Sequence, residues 1–186
     1  MSTITAVDVF PVQYPEPNDS GALRCLTFVR IRSSDGVEGW GEAVTMFPGA
    51  TAATAIMVES VRELLVGRDP LANVALWHEL QNEAWWYGHR GGIFSFALSA
   101  IDIALWDLKA RLAGLPLVDL LGGARVPSLP TIASTHAFDP SLEVEAERHG
   151  RYVTESGLKG FKIGMGKRGD THIGYDVGRD IEFRRL

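Results

Sequence analysis

Cysteine is almost absent from this sequence of 186 residues, since Cys25 is the only one. A single cysteine forms no internal disulfide, and such sparse usage is typical of proteins in a reducing compartment. The chain also lacks an apolar run long enough to cross a bilayer, and its first residues show no basic leader followed by an apolar segment. These absences exclude a disulfide scaffold and predict a cytoplasmic protein without a membrane partner.

Positive charge is also in short supply. Lysine and arginine number 18 against 23 aspartates and glutamates, which gives a formal net charge of −5. This balance argues against a nucleic-acid partner, because nucleic-acid-binding surfaces are basic. A hydrophobic fraction of 46% is enough for an ordinary globular core in a chain of this length.

The most informative stretch is Gly91–Gly123, in which apolar residues recur at three- and four-residue steps. That spacing places them on one face of a long helix, which Gly114 is expected to end. Trp106 widens the apolar surface, so we expect other elements to cover the helix on more than one side. Asp107 and Arg111 lie four residues apart and can pair on its wetter side.

Three segments before this helix are predicted to be strands of an antiparallel sheet: Ile4–Val12, Leu23–Arg32 and Val37–Ala43. The turn at 34–36 supplies hairpin chemistry between the second and third strands. Tyr14–Gly21 is rich in turn residues and predicts a loop. Gly39 and Gly41 flank Trp40, which indicates close backbone approach on both sides of this large ring.

Helices are expected to follow, over Thr51–Val66 and from Asp69 to about Trp86, before the long apolar helix. Strands first and helices after them describe an α+β unit over residues 1–127.

From residue 128 the pattern changes to strand, helix, strand and helix, over Leu129–Thr135, Ser141–Ser156, Leu158–Met165 and Tyr175–Leu186. This rhythm is typical of a parallel sheet. Because an eight-fold barrel takes roughly 250 residues in all, the chain is predicted to stop inside a second domain.

Two residues of this second region could carry chemistry. Lys162 lies near the carboxyl end of a predicted strand, the end that faces the ligand in parallel α/β folds. It could orient a carboxylate or, if desolvated, act as a base, and a solvated strand-end lysine is the alternative. His136 follows the other predicted strand and could face a substrate, although an ordinary loop histidine is the favoured interpretation.

Two further motifs give weaker signals. Gly164–Gly169 matches G-x-G-x-x-G, which suggests a dinucleotide-binding enzyme, but no clear helix start follows it and no ribose-binding acid appears about 20 residues on. His78–Asn82 resembles H-E-x-x-H but has Asn82 in place of the second histidine, and a zinc site needs three or four ligands. The sequence therefore predicts no metal ligands.

Three segments together resemble a known family: GWGEA at Gly39–Ala43, SAIDIALWDLK at Ser99–Lys109 and LLGG at Leu120–Gly123. They are similar to the mandelate racemase and muconate lactonizing group of the enolase superfamily, and the likeness covers essentially the whole chain. The resemblance implies an α+β capping domain (a three-stranded antiparallel sheet plus helices) over residues 1–127. The first β/α units of an incomplete, modified TIM barrel would then occupy residues 128–186.

The resemblance also implies a mechanism. Barrel carboxylates hold a magnesium ion that binds the carboxylate of a small acid or sugar acid, and a base removes the proton alpha to that group. Tyr14–Gly21 and Val44–Ala50 match the two capping-domain loops that close over the substrate. Within them Tyr14, Thr45 and Phe47 are the candidate substrate contacts.

Two departures limit what this chain can do alone. Lys162 matches the first lysine of the K-x-K motif of the family, but Gly164 occupies the position of the base and cannot take a proton. The acids that bind magnesium lie on later barrel strands, beyond Leu186. We therefore expect the N-terminal part of an acid-sugar dehydratase or racemase-like enzyme, inactive by itself and homo-oligomeric if complete. A non-catalytic remnant or assembly module is the alternative.

Overall fold

The computed structural model describes residues 2–17, 21–86, 91–136, 139, 141–164, 182 and 185. The chain divides into two compact units, Met1–Ala124 and Arg125–Leu186. The elements described in the first unit are β1 (Ile4–Glu16), β2 (Ala22–Ser33), β3 (Glu38–Val44), α1 (Pro48–Ser60), α2 (Arg62–Leu65), α3 (Asn73–Glu83), α4 (Ile93–Ala113) and α5 (Leu117–Leu120). None of the described helices is both long and apolar enough to cross a membrane.

The three strands form one antiparallel sheet in the order β1-β2-β3, which confirms the predicted capping-domain architecture. Alternate residues of β2 point into the core, and all of them are buried: Cys25, Thr27, Val29, Ile31 and Ser33. Period-two burial of this kind is what a sheet covered on one face requires. Cys25 is therefore a small core residue, as its position in an apolar strand predicted.

The first strand is longer than predicted, and this corrects the assignment of Tyr14 to a loop. Pairing with β2 continues through Pro15, opposite Leu23, to Glu16. Proline has no N–H to give to a ladder, but β1 is an edge strand, where one missing donor is tolerated. The turn chemistry of this segment is thus overridden by pairing with its neighbour.

The long apolar helix is confirmed as α4. Its C-cap, Gly114, adopts the left-handed conformation with φ of 65°, as expected for a helix-ending glycine. One face is buried along its whole length: Phe94, Ala97, Leu98, Ile101, Ala104, Leu105 and Leu108. The predicted pair also forms, with Arg111 Nε 2.9 Å from Asp107 Oδ2. The same carboxylate oxygen accepts the Trp40 N–H at 2.9 Å, which joins α4 to β3.

The two glycines of β3 allow the sheet to lie unusually close to α4. A Cβ placed on Gly41 would overlap the carbonyl oxygen of Ala100, and one on Gly39 would overlap that of Ala104. The predicted close approach of another backbone is therefore confirmed, and the approaching element is α4.

Two predicted helices differ from the observed ones. The first is divided at Val61 into α1 and α2, and next to the break the Ser60 hydroxyl donates to the Met57 carbonyl at 2.8 Å. Such a bond competes with the helix ladder. The next helix, α3, begins at Asn73 and not after Asp69, because Asp69 Oδ1 accepts the Leu71 N–H at 2.9 Å and forms a local turn.

The second unit contains β4 (Ala133–His136), α6 (Leu142–Thr154) and β5 (Phe161–Gly164) in its described part. The two strands are parallel, as the alternating pattern predicted. Both are shorter than expected, and α6 is capped by Ser141, whose hydroxyl accepts the Val144 N–H at 3.4 Å. The predicted helix Tyr175–Leu186 falls outside the described residues apart from positions 182 and 185.

Candidate functional site

Thr45, a predicted substrate contact, is only 3% exposed. Its hydroxyl lies 2.6 Å from that of Thr51 at the start of α1 and 3.5 Å from that of Thr27 on β2. The Cys25 carbonyl accepts from the same hydroxyl at 3.4 Å. The side chain therefore belongs to a buried network of three hydroxyls, an arrangement suited to positioning the loop.

The side chains of the two residues after Thr45 point toward solvent, whereas that of Thr45 is buried. Met46 has φ of 58°, a conformation that costs energy in a side-chain-bearing residue. Its N–H donates to the Cys25 carbonyl at 3.1 Å, and the Phe47 N–H donates to the Thr45 carbonyl at 2.7 Å. Phe47 is 69% exposed and Met46 is 55% exposed. The loop thus presents two apolar side chains from a fixed backbone, which suits a lid.

Tyr14 lies at the far end of β1, opposite Arg24 on β2. Its hydroxyl donates to Glu16 Oε2 at 3.3 Å, and Arg24 Nε lies 3.6 Å from the same oxygen. The phenol is partly exposed, so it can reach a ligand only by giving up or sharing this contact. Arg24 is a neighbouring cation that the sequence pattern did not single out.

Lys162 lies in β5, paired with Ser134 of β4, and its side chain is exposed. The preceding residue, Phe161, packs its ring 4.9 Å from the ring of His149 on α6. Because successive side chains on a strand point to opposite faces, Lys162 projects from the face of β5 that is turned away from α6. A cationic side chain at this place is free to meet an anionic ligand.

His136 and Gly164 are a pair in the parallel ladder, at the ends of β4 and β5. The two strands thus bring His136 within two register positions of Lys162, although the His136 side chain lies outside the described part of the chain. Gly164 is the last residue of β5, so the position expected for a base carries no side chain. The rest of the motif Gly164–Gly169 also lies outside the described residues.

The sequence did not predict a buried polar network that joins Thr135, His149 and the backbone of Lys162. The Thr135 hydroxyl donates to the Lys162 carbonyl at 3.0 Å and lies 2.6 Å from His149 Nε2. His149 and Glu145, four residues apart on α6, are 0% and 1% exposed. Their i, i+4 spacing was a readable signal for one helix face, but only the fold could show that this face is buried.

Asp102 lies within α4, and burial raises the pKa of its carboxyl above the usual range. No hydrogen bond to the Asp102 carboxylate is found among the described residues, and burial is the only cause of the shift. The side chain is a candidate for a functional acid by this criterion, but it does not share a cluster with the other candidates.

No metal centre forms in the described part of the chain. Nowhere among these residues do three His, Cys, Asp or Glu side chains come together in a way that could hold an ion. His78, from the motif that resembles H-E-x-x-H, lies on α3, and its ring centroid is 5.0 Å from that of Trp77. The described residues therefore do not fit a magnesium site.

Comparison with known proteins places this arrangement in a family. The profile of the mandelate racemase / muconate lactonizing enzyme N-terminal domain matches residues 10–122. A D-galactonate dehydratase family member from Pseudarthrobacter chlorophenolicus is 35% identical over 161 residues, which are 86% of this chain and 36% of that protein. A D-mannonate dehydratase from Novosphingobium aromaticivorans is 33% identical over 151 residues, 81% of this chain and 36% of that protein.

A solved structure agrees with these relatives. The mandelate racemase/muconate lactonizing protein from Paracoccus denitrificans, complexed with magnesium, superposes with a TM-score of 0.78 at 30% identity. The match covers 100% of this chain and 49% of that one. The chain therefore spans about a third of the curated relatives and half of the solved structure. The sheet, the helices and the sequence match together assign this chain to the mandelate racemase / muconate lactonizing enzyme family of the enolase superfamily, as its N-terminal domain and the residues that follow.

Proposed function

We propose that this chain is the N-terminal part of an enzyme that removes the proton alpha to the carboxylate of a small sugar acid, as a dehydratase or a racemase-like isomerase. The single observation behind the proposal is the family match, which includes relatives named as D-galactonate and D-mannonate dehydratases. Gly164 cannot act as a base, so the base of the whole enzyme must come from elsewhere. The family resemblance links a base on a later strand to several sugar-acid dehydratases, which favours dehydration. Cytoplasmic location and homo-oligomeric assembly remain part of the same proposal.

Lys162 is the residue of this chain that we expect to act on the substrate carboxylate. Its ammonium projects from the β5 face opposite α6, and in a closed β/α barrel that face is the interior. An ammonium there attracts the substrate carboxylate and stabilises negative charge that grows on it as the proton leaves. Because residues 128–186 would form the first β/α units of this barrel, Lys162 would lie at its ligand-binding end.

The segment Thr45–Phe47 is the part of the capping domain that we expect to close over the substrate. The Thr45 hydroxyl anchors the loop through its contact with Thr51, while Met46 and Phe47 supply the apolar surface that excludes water. Tyr14 would complete the cover from the end of β1, with Arg24 beside it. Tyr14, Thr45 and Phe47 thus stay the proposed substrate contacts of the capping domain.

Magnesium dependence belongs to the whole enzyme in this proposal, since the described residues bring no set of metal ligands together. We accordingly expect the 186-residue chain to bind magnesium weakly and to be inactive alone. A chimera in which these residues precede the remaining barrel of the Pseudarthrobacter relative is expected to be active.

The test is an assay of the chimera against a panel of sugar acids that includes D-galactonate and D-mannonate, with release of the keto product measured. Lys162→Ala is expected to lower kcat/KM by about 10²–10³, the usual loss when one electrostatic stabiliser is removed. Lys159→Ala is the matched control, because Lys159 is exposed and precedes β5. Equal activity of the two variants, or turnover by the 186-residue chain alone, would contradict the proposal.

A further inference from the structure

Met46 is the only residue other than glycine with a positive φ in the described part of the chain, at 58°. The Phe47 N–H donates to the Thr45 carbonyl, two residues back, at 2.7 Å. A hydrogen bond of this span around a residue with positive φ is a γ-turn of the rare, strained form. Glycine would adopt the same backbone without the penalty of a Cβ, so a methionine at this position needs an explanation.

The strain falls on Met46 because its two neighbours cannot share the turn. The chain passes from the end of β3 to the start of α1 within three residues. Thr45 is held by its buried hydroxyl, which lies 2.6 Å from that of Thr51. Phe47 precedes Pro48, and a residue before proline is driven into extended backbone, as its ψ of 145° shows. The change of direction is therefore left to Met46.

Hydrogen bonds hold the strained residue from both sides. On the strand side the Met46 N–H donates to the Cys25 carbonyl at 3.1 Å. On the helix side the Phe47 carbonyl accepts the Thr51 N–H at 3.0 Å and the Thr51 hydroxyl at 3.1 Å. These bonds offset the strain, because the turn cannot relax while they are kept.

The side chains of Met46 and Phe47 are both more than half exposed, so they contribute little to the core. A strained backbone that carries an exposed side chain points to a functional role. We propose that Met46 is a positioning residue, whose γ-turn fixes the direction of Phe47 before any substrate binds. An apolar side chain that is set in advance loses less freedom when it covers a ligand. The meaning for catalysis rests on the proposed function, whereas the turn itself does not.

The ligand surface that suits this pair is apolar. A thioether chain and a phenyl ring offer no strong hydrogen-bond donor or acceptor. They fit the C–H side of a small sugar acid, while its carboxylate and hydroxyl groups need polar partners elsewhere. Met46 and Phe47 would thus select for the shape of the carbon chain and exclude water from it.

A comparison of glycine and alanine at position 46 measures the strain. Met46→Gly removes the Cβ and is expected to raise Tm by about 2–4 °C, whereas Met46→Ala keeps the Cβ and is expected to leave Tm unchanged. Ile56, exposed on α1, is the matched control, because Ile56→Gly is expected to melt below Ile56→Ala at an ordinary helical position. If Met46→Ala melts at or above Met46→Gly, the strained turn is refuted.

Relaxation of ¹⁵N nuclei in the 186-residue chain tests whether Phe47 is fixed. We expect an amide order parameter of about 0.85 for Phe47, as in rigid backbone, and a value below about 0.6 would overturn the proposal. Met46→Val introduces a β-branched residue that resists positive φ and is expected to lower this order parameter. Met46→Asn tolerates positive φ and is expected to keep it. Equal values in the two variants would also overturn the proposal.

The positioning role is tested in the chimera by a double-mutant cycle. Met46→Val is expected to lower kcat/KM by about 10- to 100-fold, because a small misplacement of a contact can cost this much, and Met46→Asn is expected to retain most of the activity. Phe47→Ala is expected to cause a similar loss to Met46→Val, and the double variant no further loss, since Met46 acts through Phe47. Additive losses would overturn the positioning role. Inactivity of the whole chimera would count against the proposed function alone, because the Tm and relaxation results do not depend on turnover.

Discussion

Replacing Gly41 by alanine attacks the closest contact between the sheet and α4. The added Cβ would overlap the Ala100 carbonyl oxygen and crowd the Ala104 backbone nitrogen. Both are backbone atoms inside a 21-residue helix, so neither can rotate away as a side chain would. Accommodation requires that α4 and β3 move apart along a packed interface.

The cost can be bounded from this geometry. Overpacking a core by a methyl group typically costs about 1–3 kcal/mol when neighbouring side chains can adjust. Here the obstacle is backbone, so we expect a loss of about 3 kcal/mol or more in the free energy of unfolding. For a unit of this size such a loss corresponds to a fall in Tm of roughly 10 °C.

Thermal and urea unfolding, followed by circular dichroism, measure this loss. Gly49→Ala is the matched control, because Gly49 lies in α1 with nothing within 4 Å of a built Cβ. That change is expected to be neutral or to stabilise the chain by about 0.5–1 kcal/mol, since alanine is the better helix former. If Gly41→Ala unfolds at the same temperature as the wild type, the close sheet–helix approach is wrong.

Two further predictions concern groups whose partners, or lack of them, the fold decides. Thr51→Val removes the hydroxyl that lies 2.6 Å from that of Thr45 and is expected to lower the free energy of unfolding by about 1–3 kcal/mol. Thr51→Ser keeps a hydroxyl and is expected to keep the bond. Equal melting temperatures of the two variants would argue against the network. Asp102→Asn is expected to raise Tm at neutral pH, because burial raises the pKa of Asp102 and so penalises its ionised form in the folded state. The gain in Tm is complete at pH values above the raised pKa of the folded state, and it vanishes below the unfolded pKa of about 3.9. A gain that does not depend on pH would refute the raised pKa of Asp102. A gain equal to that of Asp35→Asn, a change at an exposed residue, would refute it too.

Much of the first unit followed from the sequence because local patterns and tertiary packing agree there. The three- and four-residue spacing of α4 matches the face that the sheet covers, and Gly114 ends the helix where it was expected to. The three strands and their antiparallel order followed from short links and alternating residues. Gly39 and Gly41 indicated the close approach before any partner element was known.

The sequence failed where a side chain or a neighbouring strand overrode local preference. Pro15 suggested a loop, yet pairing at the sheet edge extends β1 past it. Asp69 suggested a helix cap, yet its side chain closes a turn instead. In each case the deciding partner is a group whose proximity the local pattern does not encode.

The sequence by itself therefore determined the family, the order of the elements and the residue types available for chemistry, since these depend on spacing along the chain. Only the tertiary structure decided which face of β5 carries Lys162 and that Thr135, His149 and Glu145 meet behind it. Hydrogen-bond partners and burial are properties of positions in space. For this reason the contact between the Thr135 hydroxyl and the His149 ring could be found only in the folded structure.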